Sequence, residues 1–269
     1  MTFPLHLIDA TGRSVVLPAP PQRIVSLVPS QTELLADLGL DARVVGLTRF
    51  CIHPSGWKAR KAIVGGTKQV NLDRIRALRP DLILANREEN TRAMVEALGE
   101  IAPVYVTDVR TLDDALAMIR TVGRLTGRTR AAEALAEDIH TRFAGLPSAA
   151  PLRTAYLIWH DPLMTVGHDT FIHDLLARGG FANVFGERTR YPALTRADLA
   201  AARPAVVLLP DEPYPFDEAD RRALAAALPD ATVRLVEGAP FSWYGSRLRH
   251  TPAYLSALRA SLPLAARDA

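Results

Sequence analysis

Short apolar runs and amphipathic stretches alternate along this chain. Apolar-rich runs at 23–27, 81–85, 104–106, 154–159, 205–209 and 232–235 have the length of buried strands, and a further strand fits 43–45. Stretches near 71–78, 89–98, 111–126, 170–177, 196–202 and 217–228, and a last one ending near Leu262, place apolar residues every three to four positions and predict helices. Strands apolar on both sides suit a parallel sheet covered by helices, so the order reads as α/β. Residues 5–17 alternate around Thr11-Gly12 and predict a small hairpin ahead of a proline-rich segment. Ser30 followed three residues later by Glu33 reads as a capping box opening a helix that Gly39 stops.

One unit occurs twice. Residues 71–84 (NLDRIRALRPDLIL) are echoed by 195–208 (TRADLAAARPAVVL), with Arg79-Pro80 and Arg203-Pro204 in register. Each copy holds a helix-capping residue, a short amphipathic run, Arg-Pro and an apolar strand. The repeat predicts two α/β lobes with a ligand cleft between them, and 269 residues with 48% hydrophobic content are enough for two cores. From 128 to 146 the chain is Ala-rich and meets no Gly or Pro until Gly145, which predicts one long helix linking the lobes. The expected organisation is therefore an N-terminal α/β lobe over 1–127, a connecting helix over 128–147 and a C-terminal α/β lobe over 148–269.

The 32 basic residues are matched by 29 acidic ones and scattered, with no basic stripe interleaved with aromatics, which argues against a nucleic-acid partner. No apolar run reaches bilayer length, and the first residues carry neither a basic nor a long apolar leader segment. The expectation is a soluble monomer, periplasmic if a leader was removed and cytoplasmic if Met1 is the native start. A single cysteine, Cys51, excludes an intrachain disulfide and a zinc site of several thiolates. There is no Gly-x-Ser-x-Gly elbow, Walker motif or GxGxxG after a strand, so no catalytic residue is expected and the chain reads as a non-enzyme.

The strings LPAPPQRIVSLVPSQTELLADLGL, VVGLTRFCIHP, VGGTKQVNLDRIRALRPDLILA, TVGHDTFIHDLLARGGFANVF and RPAVVLLP, in that order and spacing, resemble the helical-backbone (class III) substrate-binding proteins of ABC importers. That family carries vitamin B12, ferric siderophores or haem. The resemblance implies two Rossmann-like lobes with parallel sheets joined by a single long helix. It also implies small closure on binding, a metal chelate such as cobalamin, haem or a ferric siderophore as ligand, no covalent cofactor, and an ABC permease as partner. By the same resemblance Phe50 occupies an aromatic contact position, Tyr191 stands where vitamin B12 carriers have tryptophan, Met164 is an apolar contact, and Thr67 replaces a tryptophan that stacks on the corrin. Trp243, Tyr244 and Arg247 lie in the loop leading into the final helix, the arginine suited to a ligand carboxylate, amide or phosphate. Family members dock through one acidic residue per lobe. Asp73 holds that position in the first copy, whereas the second has Ala197 with Asp198 one residue later, about 100° around the helix.

The residues themselves add further candidates. Arg87, with Glu88 and Glu89, follows an apolar strand at the expected cleft edge; Tyr214 and Phe216 sit in a loop stiffened by three prolines at the mirror position. Trp243 and Tyr244 are adjacent, so at least one is expected to be exposed. Cys51 and His53, with Glu88, Glu89, His160 or His168, are candidate metal ligands, while His173 reads as structural and Glu33 as a cap. Asp73 fits docking and a first-turn helix acid equally. Three functions stay open: an importer's binding protein, a cytoplasmic non-transport relative that binds a metal or corrinoid, and a metal-dependent enzyme.

Overall fold

The computed structural model describes residues 3–148 and 150–262. The chain forms two compact units. One comprises the described residues up to Val109, Asp113–His140 and Trp243–Arg247; the other comprises Arg110–Leu112, Thr141–Ser242 and the described residues from Leu248.

The first unit opens with the expected hairpin, β1 (Leu5–Ile8) antiparallel to β2 (Ser14–Leu17), turned at Gly12 with φ 82°. Then follow β3 (Ile24–Ser26), α1 (Pro29–Asp37), β4 (Val44–Leu47), α2 (Trp57–Arg60), β5 (Ala62–Ile63), α3 (Leu72–Leu78), β6 (Leu82–Asn86), α4 (Arg92–Gly99) and β7 (Val104–Thr107). Their strands make one parallel sheet in the order β5-β4-β3-β6-β7. Every residue of β3 and β6 is buried, as continuous apolar runs require. Val25, Ile83 and Ala85 pack with Ile75 of α3 and Val95 and Leu98 of α4, each larger side chain contributing about 1.5–3 kcal/mol of burial.

α1 departs from its expected start. Pro29 occupies the first turn after Val28, whose side chain makes no cap bond, and Ser30 is buried inside the helix. Proline at the first helical position has its φ set in advance and no N–H to satisfy, so it fixes the start and no capping box forms at Ser30 and Glu33.

α5 (Leu112–Thr126) and α6 (Thr129–Ala144) meet at Gly127, where φ is 71°. α6 is the predicted long helix, grouped with the first unit to His140 and with the second from Thr141.

The second unit continues with β8 (Leu152–Trp159), β9 (Leu163–Thr165), α7 (Phe171–Arg178), β10 (Phe181–Asn183), β11 (Ala193–Leu194), α8 (Arg196–Ala201), β12 (Val206–Pro210), α9 (Glu218–Ala227), β13 (Thr232–Val236), α10 (Ala239–Ser242) and α11 (Thr251–Ser261). The strand order is β11-β9-β8-β12-β13. β10 runs parallel to the start of β8, and β9 antiparallel to its end.

The repeat is visible atom by atom. Arg79 and Arg203 both take left-handed backbone, φ 45° and 44°, and their N–H groups close back on Arg76 and Ala200. A following proline disfavours right-handed helix for the residue before it, so the helix must stop there. A second arginine is also duplicated: Arg23 Nε donates to Leu78 O at 2.7 Å, and Arg153 Nη2 donates to Ala202 O at 2.6 Å, each capping the helix that its strand faces.

Candidate functional site

In the first unit a cavity of about 590 Å³ lies beyond β4 and β5, lined by Arg49, Phe50, Gly66, Thr67 and Lys68 among others. The Phe50 ring is 47% exposed, with the Arg49 guanidinium 4.9 Å above it. Gly65, at φ 130°, permits the tight return of this loop, since a Cβ there would fall 2.6 Å from Gln69 O. Thr67 is held in place from β6: its carbonyl accepts from Asn90 Nδ2 at 2.7 Å, and Asn90 Oδ1 accepts from the Asn86 N–H at 2.8 Å. Asn86 in turn donates to Thr107 O and Oγ1 at 3.1 Å. This buried amide latch was not foreseen; its only trace in sequence is a polar Asn ending an apolar strand. Arg87 does not join Phe50 and Thr67. It lines a separate cavity with Thr11 and Arg13, its guanidinium 3.5 Å from Asp108.

The segment Trp243–Arg247 belongs to this unit, and it corrects two expectations. Trp243 and Tyr244 are both buried, at 7% and 8% exposure. The reason is Gly245, whose backbone lies so close to α1 that a Cβ would stand 2.4 Å from Ser30 O, which brings both aromatic neighbours inside. Trp243 meets His53 edge-on at 5.6 Å, under the Arg247 guanidinium at 4.9 Å. Arg247 is not presented to a ligand as expected: its Nε and Nη2 donate to Glu33 at 3.0 and 2.7 Å. Glu33, read as a cap, is therefore the acidic half of an ion pair.

The metal candidates in this unit are likewise engaged. Cys51 is fully buried, with Thr32 Oγ1 at 3.1 Å and Thr48 Oγ1 at 3.2 Å from its sulfur. Burial pushes its thiol up, which disfavours the thiolate a metal needs. Asp73 is 91% exposed on the first turn of α3 and pairs, among the described residues, with Arg76 at 2.8 Å.

In the second unit β8 ends at Trp159, 42% exposed. Tyr214 forms the centre of an aromatic cluster there. Trp159 meets it edge-on at 5.6 Å, His160 stacks on it at 5.5 Å and 18°, and Phe216 lies below at 4.7 Å. Phe216, expected at the ligand, is instead buried in the core with Leu224 and Leu209, because the proline-stiffened loop turns it inward as its anchor. His160 Nδ1 stands 2.9 Å from Asp220 Oδ1, leaving its other ring nitrogen directed elsewhere. Met164 is half-buried on β9, facing Ala193 and Trp159 in register. Tyr191 is half-buried beneath Arg190, 5.4 Å from its ring. His168 Nδ1 is bound to Arg188 O at 2.9 Å, and His173 to Asn183, the structural place expected for it. Trp159 is not among the residues expected at the site, although it closes a predicted strand, where an aromatic with one face in water is a usable signal.

Asp198 does not take the helix position of Asp73. The cap of α8 is Thr195, the register equivalent of the Asn71 cap on α3, so the helix start is not shifted. Asp198 Oδ2 accepts from Thr195 N and Oγ1 at 2.8 and 2.7 Å, closing a capping box. Among the described residues no three His, Cys, Asp or Glu side chains gather as a metal cage.

A family model described as periplasmic binding protein matches residues 24–222. The chain belongs to this family. As a periplasmic binding protein it is 29% identical over 200 residues to the vitamin B12-binding protein of Pectobacterium atrosepticum, spanning 70% of this chain and 71% of that one. A periplasmic heme binding protein from Pseudomonas aeruginosa shares its fold with a TM-score of 0.77 at 24% identity, covering 90% and 94% of the two chains. The periplasmic vitamin B12 binding protein BtuF of Vibrio cholerae does so with 0.74 at 20% identity, covering 88% and 96%.

Proposed function

We propose that this periplasmic binding protein is the substrate-binding component of an ABC importer and captures a large metal chelate with an apolar face: a cobalamin, a haem or a ferric siderophore. The observation that carries this reading is an exposed aromatic ring in each unit. Phe50 stands at the mouth of a cavity of about 590 Å³, and Trp159 backs onto Tyr214. A ring left in water at the end of a parallel strand is best explained by a ligand that covers it. Thr67, Met164, Tyr191, Tyr214 and His160 complete the contacts. Asp73, exposed and weakly paired, is the docking residue for the permease, and the protein works in the periplasm as a binder rather than a catalyst.

Asp198 favours a second reading. With its carboxylate closing a capping box and Ala197 at the position matching Asp73, the protein binds the same chelate without docking through both units. Titration of cyanocobalamin, haemin and a ferric hydroxamate against tryptophan fluorescence tests the ligand class. One of the three should quench saturably at micromolar concentration, and Trp159→Phe should remove most of the quenching. Silence from all three overturns the proposal.

A further inference from the structure

A second cavity in the first unit, of about 390 Å³, is separate from the one beside Phe50. Its wall carries Arg13, Arg87 and Arg92 together with Thr11, Asn90 and Val106, and no carboxylate stands among the described residues that line it. The three arginines come from three places: the turn between β1 and β2, the loop after β6, and the first turn of α4.

Each of those places is fixed to β7 or to its own cap. The Ala10 N–H donates to Val106 O at 3.0 Å, and the Arg87 N–H donates to Thr107 O at 2.8 Å. Asp9 is 5% exposed and turned inward, accepting from Thr11 N, Thr11 Oγ1 and Arg13 N at 2.8, 2.6 and 3.0 Å. Arg92 follows Thr91, whose hydroxyl caps α4. The guanidinium groups thus hang from backbone that is already ordered, which lowers the entropy lost on binding.

Their charges are only partly met. Glu96 serves two of the arginines, Arg92 at 2.8 Å and Arg13 at 3.5 Å, and Arg87 meets Asp108 at 3.5 Å. Contacts of 3.5 Å lie at the limit of a useful hydrogen bond, so most of the N–H donors of Arg13 and Arg87 face the cavity or water. Planar guanidinium forks converging on one concavity match the oxygens of phosphate-type anions.

The geometry points to a binding site for a small multivalent phosphate-type oxyanion between Arg13, Arg87 and Arg92, independent of the chelate site. The cavity has room for more than one phosphate group. Isothermal titration with inorganic phosphate and with pyrophosphate, beside acetate as a monovalent comparator, tests it on the full chain at low ionic strength. One equivalent should bind saturably, with pyrophosphate tighter than phosphate and acetate weakest. Arg13→Ala and Arg87→Ala should each weaken binding about tenfold, as loss of a charge-assisted hydrogen bond does. Arg120→Ala, which removes an equal charge on α5, should leave binding unchanged. Amide chemical-shift changes in the unsubstituted protein should centre on Thr11, Asn90 and Arg92, a reading that needs no variant to fold. Absence of saturable binding, equal weakening by Arg120→Ala, or shift changes centred elsewhere would each overturn the site. Because no chelate is present, its failure and failure of the chelate reading are separate outcomes.

Discussion

The pair Glu33 and Arg247 offers the sharpest test of how this protein is held together. It anchors a five-residue segment, Trp243–Arg247, in the first unit through two bonds of 2.7 and 3.0 Å. Breaking a fully buried pair costs about 3–5 kcal/mol, whereas an exposed pair is worth about 0.2–1 kcal/mol. With side chains 25% and 18% exposed, water reaches part of this one, which places Glu33→Gln at about 2 kcal/mol. For a chain of this size that is a fall in melting temperature of about 4–8 °C. A capping box would tolerate the same substitution, since glutamine serves there as well as glutamate. The two readings therefore predict opposite results from one variant. Urea denaturation of Glu33→Gln, Arg247→Met and the double variant gives the coupling directly, expected at about 1–2 kcal/mol for a charge-assisted bidentate pair. A coupling below about 0.5 kcal/mol would refute the argument that this pair holds the segment in place.

Asp198→Ala should lower stability by about 1 kcal/mol through loss of the capping box, while Asp73→Ala, deprived only of an exposed pair, should stay within about 0.5 kcal/mol; thermal melts compare them. Cys51 should resist iodoacetamide in the native protein and react fully in denaturing urea, and alkylation at equal rates in both would contradict its burial among Thr32 and Thr48. Burial, aided by His168, holds the His173 imidazole below its ordinary range, so the fold favours the neutral ring. As pH falls below about 6.5 the unfolded chain takes up the proton first, and stability is lost until the folded imidazole also titrates. His173→Gln should flatten the dependence of melting temperature on pH between neutrality and about 5.5, and unchanged slopes would refute the assignment.

The parallel cores could be read from sequence because β3, β6, β8 and β12 lie in apolar-rich runs and because each helix between them keeps its period. The strands β5, β9, β10 and β11 and the helices α2 and α10 could not, since two to four residues carry no period to detect. The site divides along the same line. Phe50 and Thr67 lie in loops whose position follows from the strands before them, and they do share a cavity. Trp243, Tyr244, Arg247 and Phe216 were misplaced because their burial depends on distant backbone: Gly245 against Ser30 in one case, and a loop folding back onto the second core in the other. Local pattern says which residues are aromatic and which are charged. It does not say which distant carbonyl will lie against them.

The two copies of the repeat show which part of the unit the fold requires. Both keep the arginine in left-handed backbone, the proline after it, and an arginine from the neighbouring strand closing the helix end. Both also keep the backbone bond by which the first residue after that proline enters the sheet, Asp81 N to Arg23 O and Ala205 N to Arg153 O, at 2.9 and 2.8 Å. The side chains there differ: Asp81 also accepts from the N–H groups of Gln22 and Arg23, and Ala205 has no carboxylate to do so. The helix stop and the strand entry thus rest on the same backbone geometry in both copies. The exposed first turn is under no such constraint, so Asp73 and Ala197 can diverge while the caps Asn71 and Thr195 stay in register. The duplicated architecture therefore carries no information about docking. What the two first turns show is local: Asp73 stands exposed on α3, whereas the nearest carboxylate of the second copy, Asp198, closes its own helix.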